Sequence, residues 1–92
     1  MKRGFSVLVM VFIVAGLTVS GQSSRKYIKA GEEFIRNDMF EDAIEQFSRA
    51  IDEAPASAEC YLMRARAYEL TGNHMLAYDD YNRANNFLSN DT

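Results

Sequence analysis

The fold is decided by the stretch from Tyr27 to Pro55, YIKAGEEFIRNDMFEDAIEQFSRAIDEAP, and by a second version of it from Tyr61 to Ala84, YLMRARAYELTGNHMLAYDDYNRA. When the chain is shifted by 34 residues, aromatic residues fall on aromatic residues and small residues fall on small ones. The matched pairs are Tyr27 and Tyr61, Gly31 and Ala65, Phe34 and Tyr68, Ala43 and Ala77, Phe47 and Tyr81, and Ala50 and Ala84. Agreement at these positions and divergence elsewhere indicate two copies of one structural unit.

Each copy is predicted to form two helices. Aromatic and small residues recur at helical spacing within each segment, which is typical of one buried helix face. In the first copy, Asp38 followed by Glu41 resembles a capping box that begins the second helix. Pro55 ends that helix, because proline lacks an N–H and disfavours helical geometry in the residue before it. Ser57 is a good N-cap for the third helix, and Thr71-Gly72-Asn73 forms the last helix–helix turn.

A 34-residue helix-turn-helix with this order of aromatic and small residues resembles the tetratricopeptide repeat. The resemblance covers about residues 24–90, and it implies an all-α fold of two tandem helix-turn-helix tetratricopeptide-like repeats, a short right-handed α-solenoid. Repeat one spans about residues 24–57 and repeat two about 58–91, within a domain of residues 22–92. The sequence departs from the family at Arg64, where leucine is usual, and at His74, where an aromatic residue is usual.

The resemblance also implies a protein-binding surface on the concave face, which the first helix of each repeat lines. Residues on these helices that the core stripe does not require are the candidate partner-binding residues: Ile28, Glu32, Ile35, Leu62, Arg66 and Glu69. Their spacing places each set of three on one helix face, and mixed apolar and charged side chains suit a short extended or helical segment. The alternative is that Ile28 and Leu62 pack against each other between the repeats.

The first residues have the pattern of an export signal. Lys2 and Arg3 precede an apolar run within residues 5–19, and small polar residues follow it. This order is typical of a secretory signal peptide, here residues 1–21, and predicts a periplasmic or secreted protein. The alternative is an uncleaved membrane anchor formed by residues 5–21, although a spanning helix needs about 20 apolar residues. Without residues 1–21 the chain has 8 basic and 13 acidic residues, a net charge of −5.

Composition excludes several functions. An acidic chain lacks the basic surface that nucleic-acid binding requires. The sequence has no phosphate-binding glycine loop, no Ser/His/Asp set and no Cys/His cluster, so we expect neither catalysis, nor a metal site, nor a cofactor. Cys60 is the single cysteine, which favours a small buried residue over a thiol that pairs between chains. Asp79 and Asp80 are interpreted as parts of solvated faces.

The predicted function is therefore a non-enzymatic protein–protein interaction module. Its partner is an unidentified protein, and contact with a membrane would come only through an uncleaved N-terminal segment. The alternative is a small structural or oligomerising subunit of an envelope or membrane complex, because stacked repeats usually need about three units for stability. A homo-oligomer would supply the missing neighbour.

Overall fold

The computed structural model describes residues 23–90, which form four helices and contain no strand. Residues 23–36 are helical (α1), and they are followed by α2 at Phe40–Glu53, α3 at Ala58–Leu70 and α4 at His74–Asn90. Helix α3 packs against both α2 and α4. The all-α, repeat-like fold is thereby confirmed. The predicted signal peptide or anchor, residues 1–21, lies outside the described residues.

The two helix–helix turns have the same backbone structure 34 residues apart. The N–H of Asp38 donates to the carbonyl of Ile35 at 3.0 Å, and the N–H of Gly72 donates to the carbonyl of Glu69 at 3.0 Å. Four further backbone hydrogen bonds around each turn correspond after the same shift. Asp38 and Gly72 both have positive φ, 59° and 85°. This correspondence makes the sequence repeat a repeat of the structure.

The helices begin and end near the predicted residues, but the predicted side-chain capping hydrogen bonds are absent at the starts of α2 and α3. The N-cap of α2 is Met39, and no side chain caps that helix, so the capping box predicted at Asp38 is wrong. The reason is that Asp38 occupies the left-handed turn position, one residue before the cap. Ser57 is the N-cap of α3 as predicted, although its side chain makes no capping hydrogen bond. Helix α2 ends at Glu53, just before Pro55.

Repeat one is held together by a large side chain packed against a glycine. Phe47 of α2 is fully buried, in a cluster with Ala43 and Ala67. A Cβ atom on Gly31 of α1 would lie 2.6 Å from Cζ and 2.7 Å from Cδ1 of the Phe47 ring. The absence of a side chain at Gly31 therefore allows α1 and α2 to approach closely. This is the large-against-small packing that the sequence predicted.

Repeat two is held together by a buried ion pair. Arg64 of α3 donates from Nε to Oδ2 of Asp80 at 2.7 Å and from Nη2 to Oδ1 at 3.0 Å. Its third nitrogen, Nη1, donates to Oγ of Ser48 on α2 at 3.1 Å. The side chain of Asp80 is only 2% exposed, so the interpretation of Asp80 as part of a solvated face is wrong. The guanidinium connects three helices, and the hydrogen bond with Asp80 raises the pKa of Arg64.

Between the repeats lies a second buried cluster of Ile28, Ala50 and Cys60, against which Tyr27 and Ile51 pack. Cys60 is a free thiol and fully buried, as the sequence favoured. Tyr61, the residue after Cys60, donates a hydrogen bond from its hydroxyl to the carbonyl of Pro55 at 2.9 Å. The three helices α1, α2 and α3 are thus joined by small and aliphatic side chains.

Candidate protein-binding groove

A groove lies between α1 and α3, on the face that the sequence predicted to bind a partner. It encloses a cavity of about 170 Å³. Helix α1 contributes Glu32, Ile35 and Arg36 to its lining, and helix α3 contributes Met63 and Arg66. The buried Phe47 of α2 also lines it. Ile35 and Met63 pack against the cluster that contains Phe47. The groove therefore has an apolar base between charged side chains, and we call it the α1–α3 groove.

The charged side chains of the α1–α3 groove differ in their partners. Arg36 donates from Nη2 to Oε1 of Glu33 at 2.7 Å, and both side chains are exposed. This hydrogen bond and the charge of Arg36 hold the pKa of Glu33 below its ordinary value. Arg66, across the groove, makes no hydrogen bond or ion pair within residues 23–90. Its guanidinium is thus the cation of this groove that is available to an incoming carboxylate.

The structure brings three of the six predicted binding residues together. Glu32, Ile35 and Arg66 all line the α1–α3 groove. Ile28 is buried, with 5% exposure, and belongs to the cluster with Cys60. The interpretation of Ile28 as a free surface residue is therefore wrong. Its position at the contact between the two repeats withdraws it from the surface.

The other two predicted residues lie apart from the groove. Leu62 is partly exposed on α3 and does not line the cavity. Glu69 accepts a hydrogen bond from the Tyr81 hydroxyl at 2.6 Å, and this bond raises the pKa of Tyr81. Glu69 lines a different concavity with His74 and Tyr78, at the junction of α3 and α4. Glu69 therefore contacts α4 and does not line the groove.

Sequence reasoning missed Met63, which supplies the apolar base of the groove from α3. The signal was present, because Met63 lies three residues before Arg66 and residues at that spacing share a helix face. Met63 aligns with Lys29 under the 34-residue shift. A comparison limited to matched residue types passes over such a position.

Within residues 23–90, no group of three or more His, Cys, Asp or Glu side chains is arranged to hold a metal ion. No helix in that part of the chain is long and apolar enough to cross a membrane.

The described residues define a small all-α protein built from two helix-turn-helix units. No family model matches the chain. Membership of the tetratricopeptide-repeat family therefore stays a prediction.

Proposed function

We propose that this chain is a non-enzymatic protein–protein interaction module of the tetratricopeptide-repeat type, which docks a short protein segment in the α1–α3 groove. The observation that carries the proposal is the unpaired guanidinium of Arg66 beside the apolar base formed by Ile35 and Met63. An apolar base with a charged edge is the arrangement that peptide-binding grooves use for affinity and specificity.

The charges indicate which segment fits. Arg36 and Arg66 stand on opposite sides of the groove, and Glu32 is the single acidic side chain among its lining residues. Arg36 is already paired with Glu33, so Arg66 has the greater capacity for a new bond. The segment should therefore place one apolar side chain over Met63 and an Asp or Glu next to it. When the bound segment covers the guanidinium and excludes water from it, a charge-assisted hydrogen bond of this kind contributes about 1.5–3 kcal/mol, against about 1 kcal/mol or less for a pair that stays exposed.

A selection from a random peptide library tests this function. The full chain, kept in a mild non-ionic detergent, is used to enrich peptides, and their affinities are then measured by fluorescence anisotropy. We expect enriched peptides to combine an apolar residue with a neighbouring acidic one. Arg66→Ala should weaken their binding by about tenfold or more, because each 1.4 kcal/mol is a factor of ten.

The matched control is Arg49→Ala, which removes an exposed arginine on α2. Within residues 23–90, Arg49 pairs only with Glu45 of its own helix, at 3.2 Å. This variant should bind the selected peptides like the unchanged chain. Equal binding by the Arg66 and Arg49 variants, or a library without enriched peptides, would contradict a function for the groove.

The proposal includes export of the chain, with residues 1–21 as a signal peptide. Its support is the order of basic, apolar and small polar residues at the N-terminus. Mass spectrometry of the mature chain tests this point. A mature N-terminus near Gln22 is expected, whereas a chain that retains its first residues in the membrane fraction would favour the anchor.

A further inference from the structure

One surface of α4 corresponds, under the 34-residue shift, to the surface of α2 on which α3 packs. Ile44 and Phe47 of α2 pack in the cluster with Ala67 of α3, while Ile51 of α2 and Ala54, the C-cap of that helix, pack against the cluster that contains Cys60. The residues of α4 that correspond to these four are Tyr78, Tyr81, Asn85 and Leu88. We call this set of α4 residues the outer face of α4.

The outer face of α4 is exposed and largely apolar. Tyr78 is 66% exposed, Leu88 is 51% exposed and Tyr81 is 37% exposed. Their spacing of three and four residues puts them with Asn85 on one side of the helix. Within residues 23–90 nothing packs on α4 in the way that α3 packs on α2. The face is therefore the counterpart, one repeat later, of the surface of α2 that α3 covers.

From this relation we infer that the outer face of α4 is a second docking surface, which takes one amphipathic helix of another protein in the orientation that α3 takes on α2. This surface is separate from the α1–α3 groove and goes beyond the proposed function.

The contacts of α3 specify the chemistry of that helix. Toward α2, helix α3 presents Cys60, Met63 and Ala67, a stripe of small, aliphatic and small side chains at i, i+3 and i+7. The partner helix should carry a similar stripe. At the position of Cys60 it should carry a hydrogen-bonding side chain, because Asn85 replaces the Ile51 that packs near Cys60. A single polar residue on a helix face fixes the register of its partner.

A second copy of this chain is a poor occupant in the same arrangement. The residues of α1 that correspond to Cys60, Met63 and Ala67 are Lys26, Lys29 and Glu33, and all three are exposed. Head-to-tail stacking would place these charges against Tyr78 and Tyr81. Burial of unpaired charges is unfavourable, so the occupant should be a helix of a different chain.

A synthetic peptide that copies α3 provides the probe. It spans residues 57–71 with Cys60→Ser, which removes the thiol and supplies a hydroxyl for Asn85, and it carries a fluorescent label at its N-terminus. The peptide is titrated with the full chain in non-ionic detergent micelles, after correction for binding to micelles alone, and anisotropy is recorded. We expect saturable binding.

Variants of the protein locate the peptide. Tyr78→Asp combined with Leu88→Asp should weaken binding by about tenfold or more, because both charges would be buried under the peptide. The matched control is Met75→Asp: Met75 is 83% exposed on α4 and lies outside the outer face. This control should leave the affinity unchanged. Circular dichroism checks that each variant keeps its helices.

Variants of the peptide give the same information without a change in the protein. Met63→Asp in the peptide should abolish binding, whereas Leu62→Asp, off the contact stripe, should preserve it. No saturable binding, or equal binding by the double variant and the unchanged chain, would overturn the inference. So would self-association of the unchanged chain that the double variant abolishes, since a second copy would then cover the face. The Arg66→Ala variant changes no residue of the outer face, and the double variant changes no residue that lines the groove, so separate substitutions test the two surfaces.

Discussion

Repeat one and repeat two have corresponding turns, yet their second helices bury different side chains. The middle of α2 holds Phe47, which is fully buried, and the corresponding position of α4 holds Tyr81, which is 37% exposed. Repeat one has neighbouring helices on both sides of α2, whereas α4 has a described neighbour on one side only. The same helix position therefore belongs to the core in one repeat and to the surface in the other.

The interiors of the two repeats also differ in the kind of side chain that they bury. In repeat one the core is apolar and Gly31 admits the ring of Phe47. In repeat two Arg64 and Asp80 form a bidentate ion pair, at positions that hold Ala30 and Gln46 in repeat one. Within residues 23–90 no buried side-chain polar atom lacks a hydrogen-bond partner. Buried polar side chains are compatible with the fold here because each of them makes hydrogen bonds.

Truncation of the matched ring positions should give the largest difference between the repeats. Phe47→Ala should lower the free energy of unfolding by about 3–5 kcal/mol, because it leaves a cavity in a closed core. Tyr81→Ala should lower it by less, about 1–2 kcal/mol, since more than a third of this side chain is already exposed and its removal leaves no closed cavity. Urea denaturation of the full chain in detergent, followed by circular dichroism, measures both. Equal costs would show that the two helices are equally covered.

The next largest effect is expected at the ion pair. Asp80→Ala should cost about 3 kcal/mol, because it leaves the guanidinium of Arg64 largely buried without its partner. The matched control in repeat one, Gln46→Ala, should cost less than about 1 kcal/mol. A double variant with leucine at both Arg64 and Asp80 should recover most of the loss, since apolar replacements of buried ion pairs are often neutral. A small cost for the single variant would mean that water replaces the carboxylate.

A smaller effect is expected where α1 meets α2. Gly31→Ala should lower the free energy of unfolding by about 1–3 kcal/mol, because the new methyl group meets the fully buried ring of Phe47. The reverse change in repeat two, Ala65→Gly, should cost about 1 kcal/mol through the poorer helix propensity of glycine. A gain in stability for Gly31→Ala would show that the ring moves aside and that helix propensity decides the outcome. Urea denaturation gives both values.

The smallest effect concerns ionisation of Tyr81. Its hydrogen bond to Glu69 raises the pKa of Tyr81 above its ordinary value of 10.0. Because the pKa is higher in the folded state, the stabilisation from this bond is present below the unfolded pKa and disappears as the pH rises through the folded pKa. Glu69→Ala should lower the pKa of Tyr81, as measured by tyrosinate absorbance against a Tyr81→Phe reference. An unchanged pKa would show that the bond does not form in solution.

The sequence alone predicted the helices, the turns and the close approach at Gly31, because these depend on local spacing and residue size. It did not predict the burial of Asp80. Helix spacing does place Asp80 on the face of Ala77 and Ala84, since it lies three residues after one and four before the other, but a carboxylate on a core face is explained only by a partner on another helix. The presence of Arg64 at a position where the resemblance expects leucine was the signal for that partner. A buried arginine needs an acidic partner on a neighbouring helix.

Three of the six predicted binding residues line the groove, and the others depend on contacts between helices. Glu32, Ile35 and Arg66 followed from their place on the first helix of each repeat. The burial of Ile28 depends on the fit of α1 against Cys60 of α3, and helix periodicity carries no information about contacts between helices that distant in sequence. Likewise, Asp38 could have been assigned to the turn from its alignment with Gly72, since positive φ favours glycine and, after it, Asn and Asp.

Cys60 gives the molecule a built-in reporter of its own opening. It is the only thiol of the chain, and it is sealed between the two repeats by Ile28 and Ala50. A thiol reagent can reach it only when the repeats separate, so the rate of labelling at high reagent concentration equals the rate of separation. At low concentration the rate reports the equilibrium between closed and open forms. A segment bound in the α1–α3 groove, which is lined by helices of both repeats, would slow this labelling by a factor that rises with its concentration and its affinity, and the ligand itself would need no label.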